Sequence, residues 1–252
     1  MRALILAAGL GTRLKPFTDS HPKALLPLAG RPLLDYQVSK LQAAGLTDIY
    51  VNIHHHADEL ESYIRTHYPT LHISDERSAL LETGGAIRKL GQEHPSDEPL
   101  LVLNVDILSN LDLTSLMAAH QPENYATLVV SQRETQRYLC FNENENEPGT
   151  PNSEQTGLHM VGWTNIATGE KKPAELNIDA STRLLAFSGL HILSPRAIRD
   201  MVDWPERFSI TDYYIERCTR EHIVPFIPTD YRMMDVGKTE QLTAAEAFAK
   251  AL

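Results

Sequence analysis

A chain of 252 residues with 42% hydrophobic and 22% charged residues can bury a sizeable core, which excludes the disordered and low-complexity classes. Its formal net charge of −10 excludes a general nucleic-acid binder, although local donors and a divalent cation can still hold phosphates on an acidic protein. Two cysteines, Cys140 and Cys218, exclude a disulfide framework, and no stretch nears the ~20 apolar residues that span a bilayer; a reducing, cytoplasmic setting without a membrane partner is expected.

The first predicted element is a strand buried on both faces, the continuous apolar run Ala3 to Ala7, which ends at glycines. Pro32 to Ala44 reads as an amphipathic helix closed by Gly45, Ile49 to Ile53 as a second strand, and Asp58 to His67 as a second helix. A weaker strand at Leu71 to Ile73 precedes a helix starting near Gly84. Leu100 to Leu103 is another buried strand, followed by a helix over Leu113 to His120 and a strand over Ala126 to Ser131. Between about 134 and 182 the pattern degrades, and Asn142 to Gly149 is acidic and turn-forming. That stretch is expected to be a solvated hairpin or flexible loop, with a specificity element folding over a substrate as the alternative. Beyond it come a strand at Leu184 to Leu193, helices at Pro195 to Val202 and Ile210 to Arg220, and short strands at Ile223 to Phe226 and Arg232 to Met234. An Ala-rich helix, Thr239 to Leu252, closes the chain.

Such alternation predicts a Rossmann-like three-layer α/β/α sandwich with a mostly parallel central sheet. No repeat or linker divides it, so one domain over 1–252 is expected, with the 134–182 stretch as an insertion. Ligands of parallel sheets sit at the carboxyl ends of the strands, which directs attention to the Gly9–Gly11 loop, His54 and Asp106.

The loop reads Leu6-Ala7-Ala8-Gly9-Leu10-Gly11-Thr12-Arg13-Leu14-Lys15-Pro16, continued by Pro22-Lys23. It is not the dinucleotide fingerprint, because position 14 is Leu rather than Gly; nor is it a P-loop, because Lys23 lies between Pro22 and Ala24. What remains is a glycine loop whose amides can approach a polyphosphate, with Arg13 as a planar fork of donors and Lys23 as a mobile charge. The plainer alternative is a tight turn with surface cations. Three consecutive histidines, His54 to His56, cannot easily converge on one ion, so they read as a polar loop at a strand end.

LAAGLGTRLKPFT followed by PKALLP resembles the signature of the sugar-1-phosphate nucleotidyltransferases. Three further segments fall in that family's order: Leu81 to Ala86, Asn104-Val105-Asp106 and Met234-Asp235-Val236-Gly237. The resemblance implies attack of a sugar-phosphate oxygen on the α-phosphorus of a nucleoside triphosphate, with pyrophosphate leaving in line. It implies Lys23 near the reacting phosphates and Gly11, Thr12 and Arg13 on the departing pyrophosphate, so that Arg13 and Lys23 are the expected catalytic pair. Leu6, Ala7, Ala8 and Gly9 would line the nucleoside pocket, with Thr83 and Gly84 covering base or ribose. Glu82 either contacts base or sugar or merely starts the next helix. Asp106 and Asp235 would share Mg²⁺, their plainer roles being a helix cap or turn and a turn before Gly237. Asn104, Asn177, Ser188 and Gly189 would serve the acceptor.

Among relatives, the short ending without a β-helix and the Leu81-Glu82-Thr83-Gly84-Gly85 segment look most like the N-acetylmuramate 1-phosphate uridylyltransferases. The expected partners are therefore UTP and an amino-sugar 1-phosphate, in a monomer or small homo-oligomer with no nucleic acid. GTP with mannose- or heptose-1-phosphate, phosphocholine cytidylyl transfer, and a non-catalytic nucleotide-sensing subunit are the alternatives.

Overall fold

Both faces of the first strand are buried, and this decides the layering. In the computed structural model, which describes residues 1–143 and 157–252, Arg2–Leu6 (β1) sends Ala3 and Ile5 into one apolar core and Leu4 into another. Such a strand needs a helical layer on each side.

The chain continues through the ribbon Pro27–Leu28 (β2) and Arg31–Pro32 (β3), then Leu33–Ala43 (α1), Ile49–Ile53 (β4), Ala57–His67 (α2), His72–Asp75 (β5) and Glu82–Glu93 (α3). Next come Leu100–Asn104 (β6), Ile107–Ser109 (β7), Leu113–Ala119 (α4), Ala126–Ser131 (β8), Arg137–Glu143 (β9), Leu158–Asn165 (β10) and Glu170–Lys172 (β11). Arg183–Leu193 (β12), Pro195–Arg199 (α5), Ile210–Arg217 (α6), Ile223–Phe226 (β13), Met233–Asp235 (β14) and Leu242–Ala249 (α7) follow.

The main sheet runs β11-β10-β9-β12-β6-β1-β4-β5, with β8 beside β12 and β13 beside β8. From β6 through β5 the strands are parallel, as the alternation predicts. Leu33, Leu34, Val38 and Leu41 of α1 and Leu60 and Ile64 of α2 pack on the face holding Ala3 and Ile5. Ile87 and Leu90 of α3, Ala197 of α5 and Tyr213 and Tyr214 of α6 cover the opposite face.

The stretch with a weak pattern extends the sheet instead of forming only a loop. β9, β10 and β11 pair antiparallel, and β9 joins the N-terminal part of β12. The acidic run reaches this hairpin through Asn142 and Glu143, while 144–156 lies outside the described residues. β12 links the two halves. Leu190–Leu193 pairs with β6, Arg183–Leu185 pairs with β9, and between them Gly189 adopts φ +73°. Only glycine takes that conformation cheaply, and here it turns the strand from one half of the sheet to the other.

Candidate active site

β1 and β6 end side by side, with Leu6 paired to Asn104, and two cavities open beyond them. The first, about 370 Å³, is bordered by Ala8, Gly9, Lys23, Asn52, Glu76 and Glu82 among others. The second, about 310 Å³, is bordered by Arg133, Ser188, Gly189, His191 and Asp235. Leu6, Thr83, Asn104 and Ser209 line both, so the cavities form one cleft along the strand ends. The sizes suit small organic ligands.

The charged centre lies at the junction. Lys23, only 8% exposed, follows Pro22 in a short turn and forms an ion pair with Asp106. Asp106 leads into β7, which pairs with β14 so that Ile107 faces Asp235. The amide of Val236 donates to the carbonyl of Asp106 at 2.9 Å, closing the ribbon. Burial and the neighbouring Asp106 charge raise the pKa of Asp235, opposed by Lys23, Arg13 and Arg133. A Cβ added to Gly237 would lie 2.6 Å from Asp235 Oδ1 and 2.9 Å from Arg13 Nη2. The Asp235 carboxylate and the Arg13 guanidinium thus both reach the backbone of Gly237. Two carboxylates and two cations, contributed by four separate segments, meet at one place.

The donor set suits a hard divalent cation. Among the described residues no three His, Cys, Asp or Glu side chains stand together as a metal cage. Two carboxylates leave the remaining coordination positions to phosphate oxygens and water, which is how Mg²⁺ is held.

In the glycine loop, Gly11 takes φ +61°, and its carbonyl accepts from the Leu14 amide and the Thr18 hydroxyl, both at 2.8 Å. Thr12 and Arg13 are exposed just beyond it. A Cβ at Gly9 would meet nothing within 4 Å, so this glycine borders open space in the cleft. Ala7 and Ala8 are buried, and their amides donate to Asn52 Oδ1 at 2.6 and 3.2 Å. Asn52 Nδ2 donates in turn to Glu76 Oε1 at 2.8 Å. Glu76 is 1% exposed, and burial raises its pKa against the bonds from Asn52 and the Leu81 amide. Asn52 and Glu76, like Arg133 and His191, are cleft residues absent from the sequence reading. The available signal was Asn52 itself, a polar residue within an otherwise apolar strand.

Other expected residues take more structural parts. Glu82 lines the cleft and also starts α3, with φ +63° and its carboxylate paired to Arg207 at 2.9 Å. Thr83 borders both cavities, and its hydroxyl accepts from the Ile210 amide at 2.9 Å. Gly84 borders neither cavity; a Cβ there would stand 2.2 Å from the Phe208 ring, so packing of α3 demands this glycine. Asn177 also lies off both cavities, donating to Asp179 at 3.2 Å. His54 bonds the Glu76 carbonyl at 2.7 Å, and His55 the Thr18 carbonyl at 3.0 Å, which makes them braces for the cleft wall.

In the second cavity, Ser188 and His191 are 2% and 1% exposed, and neither the serine hydroxyl nor either ring nitrogen has a hydrogen-bond partner among the described residues. Burial lowers the His191 pKa to about 3, so the ring is neutral. Buried polar groups without partners are costly. Asn104 stands against Gly189, where a Cβ would lie 2.6 Å from its Nδ2.

Several known proteins are similar to this chain along most of its length. An N-acetylmuramate alpha-1-phosphate uridylyltransferase from Caulobacter vibrioides is 29% identical over 254 residues, covering 97% of this chain and 95% of that protein. A UTP–glucose-1-phosphate uridylyltransferase from Synechocystis is 25% identical over 94% of this chain, which spans 60% of that protein's length. In fold, the chain matches HddC from Yersinia pseudotuberculosis, solved with GMP-PN, at TM-score 0.71 and 21% identity, covering 98% and 99% of the two chains. A UDP-glucose pyrophosphorylase solved with UDP-glucose gives TM-score 0.74 and 20% identity, covering 100% and 99%. The sequence profile described as "Nucleotidyl transferase" matches residues 2–147, more than half of the 252, and the chain belongs to the nucleotidyl transferase family.

Proposed function

We propose that the protein joins a nucleoside triphosphate to a sugar 1-phosphate and releases pyrophosphate, with UTP and N-acetylmuramate 1-phosphate or another amino-sugar 1-phosphate as substrates. The observation that carries this reading is the meeting of Lys23, Arg13, Asp106 and Asp235 at the junction of two cavities. A transfer between two phosphorylated molecules needs such a junction, because the two anions repel each other and must be held together. The choice of UTP and an amino sugar leans on the Caulobacter relative, which is matched along nearly its whole length.

In this reading the triphosphate lies across the glycine loop with its nucleoside in the cavity of Ala8, Gly9 and Glu76. The acceptor occupies the cavity of Ser188, Gly189 and His191. An acceptor phosphate oxygen forms a bond to the α-phosphorus while the bond from that phosphorus to the bridging oxygen breaks, and the electron pair leaves with pyrophosphate. Lys23 neutralises charge developing at the α-phosphate, and Arg13 holds the departing group. Asp106 and Asp235 would hold Mg²⁺, which supplies further charge neutralisation on the phosphates. The protein has no proton to remove, because a phosphate oxygen is already a nucleophile.

One observation favours a second reading of the base. The buried carboxylate of Glu76 borders the nucleoside cavity and, when ionised, offers acceptors alone. Guanine presents adjacent N–H donors to such a group, whereas uracil presents one. A pyrophosphate-release assay of the four nucleoside triphosphates against a panel of sugar 1-phosphates and phosphocholine tests both. UTP with N-acetylmuramate 1-phosphate is expected to be fastest. GTP with mannose 1-phosphate as the best pair would establish the second reading, and no release with any pair would defeat catalysis in favour of a nucleotide sensor.

A further inference from the structure

The second cavity holds a cation that the proposed reaction leaves without a task. Arg133 borders this cavity together with Phe187, Gly189 and Asp235, and it does not border the first. It stands just beyond Ala126–Ser131 (β8), on the connection to β9, and its Nη2 donates to the Phe187 carbonyl at 2.7 Å. That bond ties the guanidinium to β12, two residues before the bend at Gly189. It also leaves most of the guanidinium donors over, and among the described residues no carboxylate pairs with Arg133. His191 being neutral, Arg133 is the one cation among the described residues that border this cavity.

The acceptor's phosphate has its own partners. To meet the α-phosphorus it must lie at the junction of the cavities beside Lys23, which borders the first cavity and not the second. Lys23 and Arg133 therefore serve different ends of one ligand. An unpaired guanidinium is answered better by an anion than by a hydroxyl, because a charge-assisted hydrogen bond is about twice as strong as a neutral one. Its planar fork matches the two oxygens of a carboxylate. Asp235 borders the same cavity but forms no ion pair with Arg133. Elsewhere the wall is apolar, through Ile107, Phe187, Ile210 and Met233, with the Phe187 ring stacked 5.4 Å from that of His191. Such a wall suits the carbon skeleton of a sugar.

We propose that Arg133 is a specificity-determining residue that binds a carboxylate on the acceptor sugar, so that the protein selects sugar 1-phosphates bearing a second anionic group. The inference rests on the second cavity being the acceptor site. N-acetylmuramate 1-phosphate carries such a carboxylate on its ether arm, and a uronic acid 1-phosphate carries one next to the ring. N-acetylglucosamine 1-phosphate and glucose 1-phosphate, of otherwise matching skeleton, carry none.

The test is calorimetric binding of matched nucleotide sugars to the full chain, which needs no turnover. UDP-N-acetylmuramate is set against UDP-N-acetylglucosamine, and UDP-glucuronate against UDP-glucose. In at least one pair the carboxylate-bearing member is expected to bind about tenfold more tightly, the factor that one charge-assisted hydrogen bond supplies. The pair that shows the difference gives the place of the carboxylate. Arg133→Gln should remove the difference by weakening the carboxylate-bearing member alone. Arg133→Lys, which keeps the charge but not the fork, should restore part of it. In turnover the loss should fall on KM for the carboxylate-bearing sugar 1-phosphate and not on kcat. Equal affinities within both pairs, or no binding of any of the four, would overturn the proposal. An equal loss for both members in Arg133→Gln would overturn it too, marking Arg133 as a phosphate contact or a brace for β12. Selective binding without pyrophosphate release from any substrate pair would leave the role of Arg133 standing and remove the reaction; pyrophosphate release without selectivity would do the reverse.

Discussion

Lys23 carries its charge in a nearly closed position, and Asp106 balances it. Removing the ammonium group takes away the cation nearest the expected path of the phosphates and leaves the Asp106 carboxylate unopposed. Lys23→Ala is expected to lower kcat about 10²–10³-fold, the range found when one preorganised charge-stabilising donor is lost. Asp106 retains some solvent contact at 19% side-chain exposure, so the melting temperature should change little. Steady-state kinetics and thermal denaturation of the variant check both points, and near-normal turnover would contradict the assignment. Asp106→Asn and Asp235→Asn should each raise the Mg²⁺ concentration needed for half-maximal rate; activity that survives chelation of divalent ions would remove the metal from the account.

The charged residues Arg13, Lys23, Asp106 and Asp235 were legible as candidates because each stands in a short contiguous motif. Asn52 and Glu76 were not. Their importance arises when β4 and β5 pair with Asn52 opposite Ser74, which brings a strand residue, a post-strand carboxylate and the Ala7 and Ala8 amides into one hydrogen-bonded group. A pairing of that kind has no local signature.

The bend of β12 is the element on which the two cavities depend. Gly189 sits where the strand leaves β6 for β9, with φ +73° and Asn104 against it. Gly189→Ala forces a side chain into a left-handed conformation and displaces Asn104. A loss of about 1–2 kcal/mol in stability is expected from the backbone alone. Asn104 lines both cavities, so KM for the acceptor should rise as well. Denaturant unfolding and acceptor titration measure the two effects; unchanged values for both would show that the bend is not constrained.

Elements with apolar runs on both faces were read almost to the residue: Ile49–Ile53, Ala126–Ser131 and Ile223–Phe226 are strands as expected. The antiparallel β9–β11 region was not, because the buried positions of β10 include Gly162 and Thr164 while Val161 and Trp163 lie on the other face, so the sequence shows no apolar alternation. A Cβ at Gly162 would lie 2.5 Å from the Lys172 carbonyl, so tertiary packing rather than local preference places that glycine. Near the chain's end the expected helix over Thr239 to Leu252 divides into a short 3₁₀ turn and α7, Leu242–Ala249.

Across the whole molecule, acid sensitivity should arise from two histidines held neutral. Burial lowers His120 to about 4 and His191 to about 3, against an ordinary value near 6.5. Both sites take up a proton on unfolding once the pH drops below that ordinary value, so their stabilising contribution is complete above about 6.5. It is lost progressively as the pH falls toward 4, by about 1.4 kcal/mol per pH unit for each fully coupled group. His120→Gln should flatten the dependence of unfolding free energy on pH between 6 and 4 by close to one proton. An unaltered slope would show that His120 is not held neutral.

Nucleotidyl transfer is distinguished from other phosphoryl chemistry by the position of the broken bond. The protein would be incubated with Mg²⁺, N-acetylmuramate 1-phosphate and UTP carrying ³²P at either the α- or the γ-phosphate, with the products then separated. The α-label is expected to enter a nucleotide sugar while the γ-label leaves only in pyrophosphate, and Lys23→Ala should suppress both together. Transfer of γ-label to the acceptor, or release of α-label as free nucleotide without a sugar product, would contradict nucleotidyl transfer.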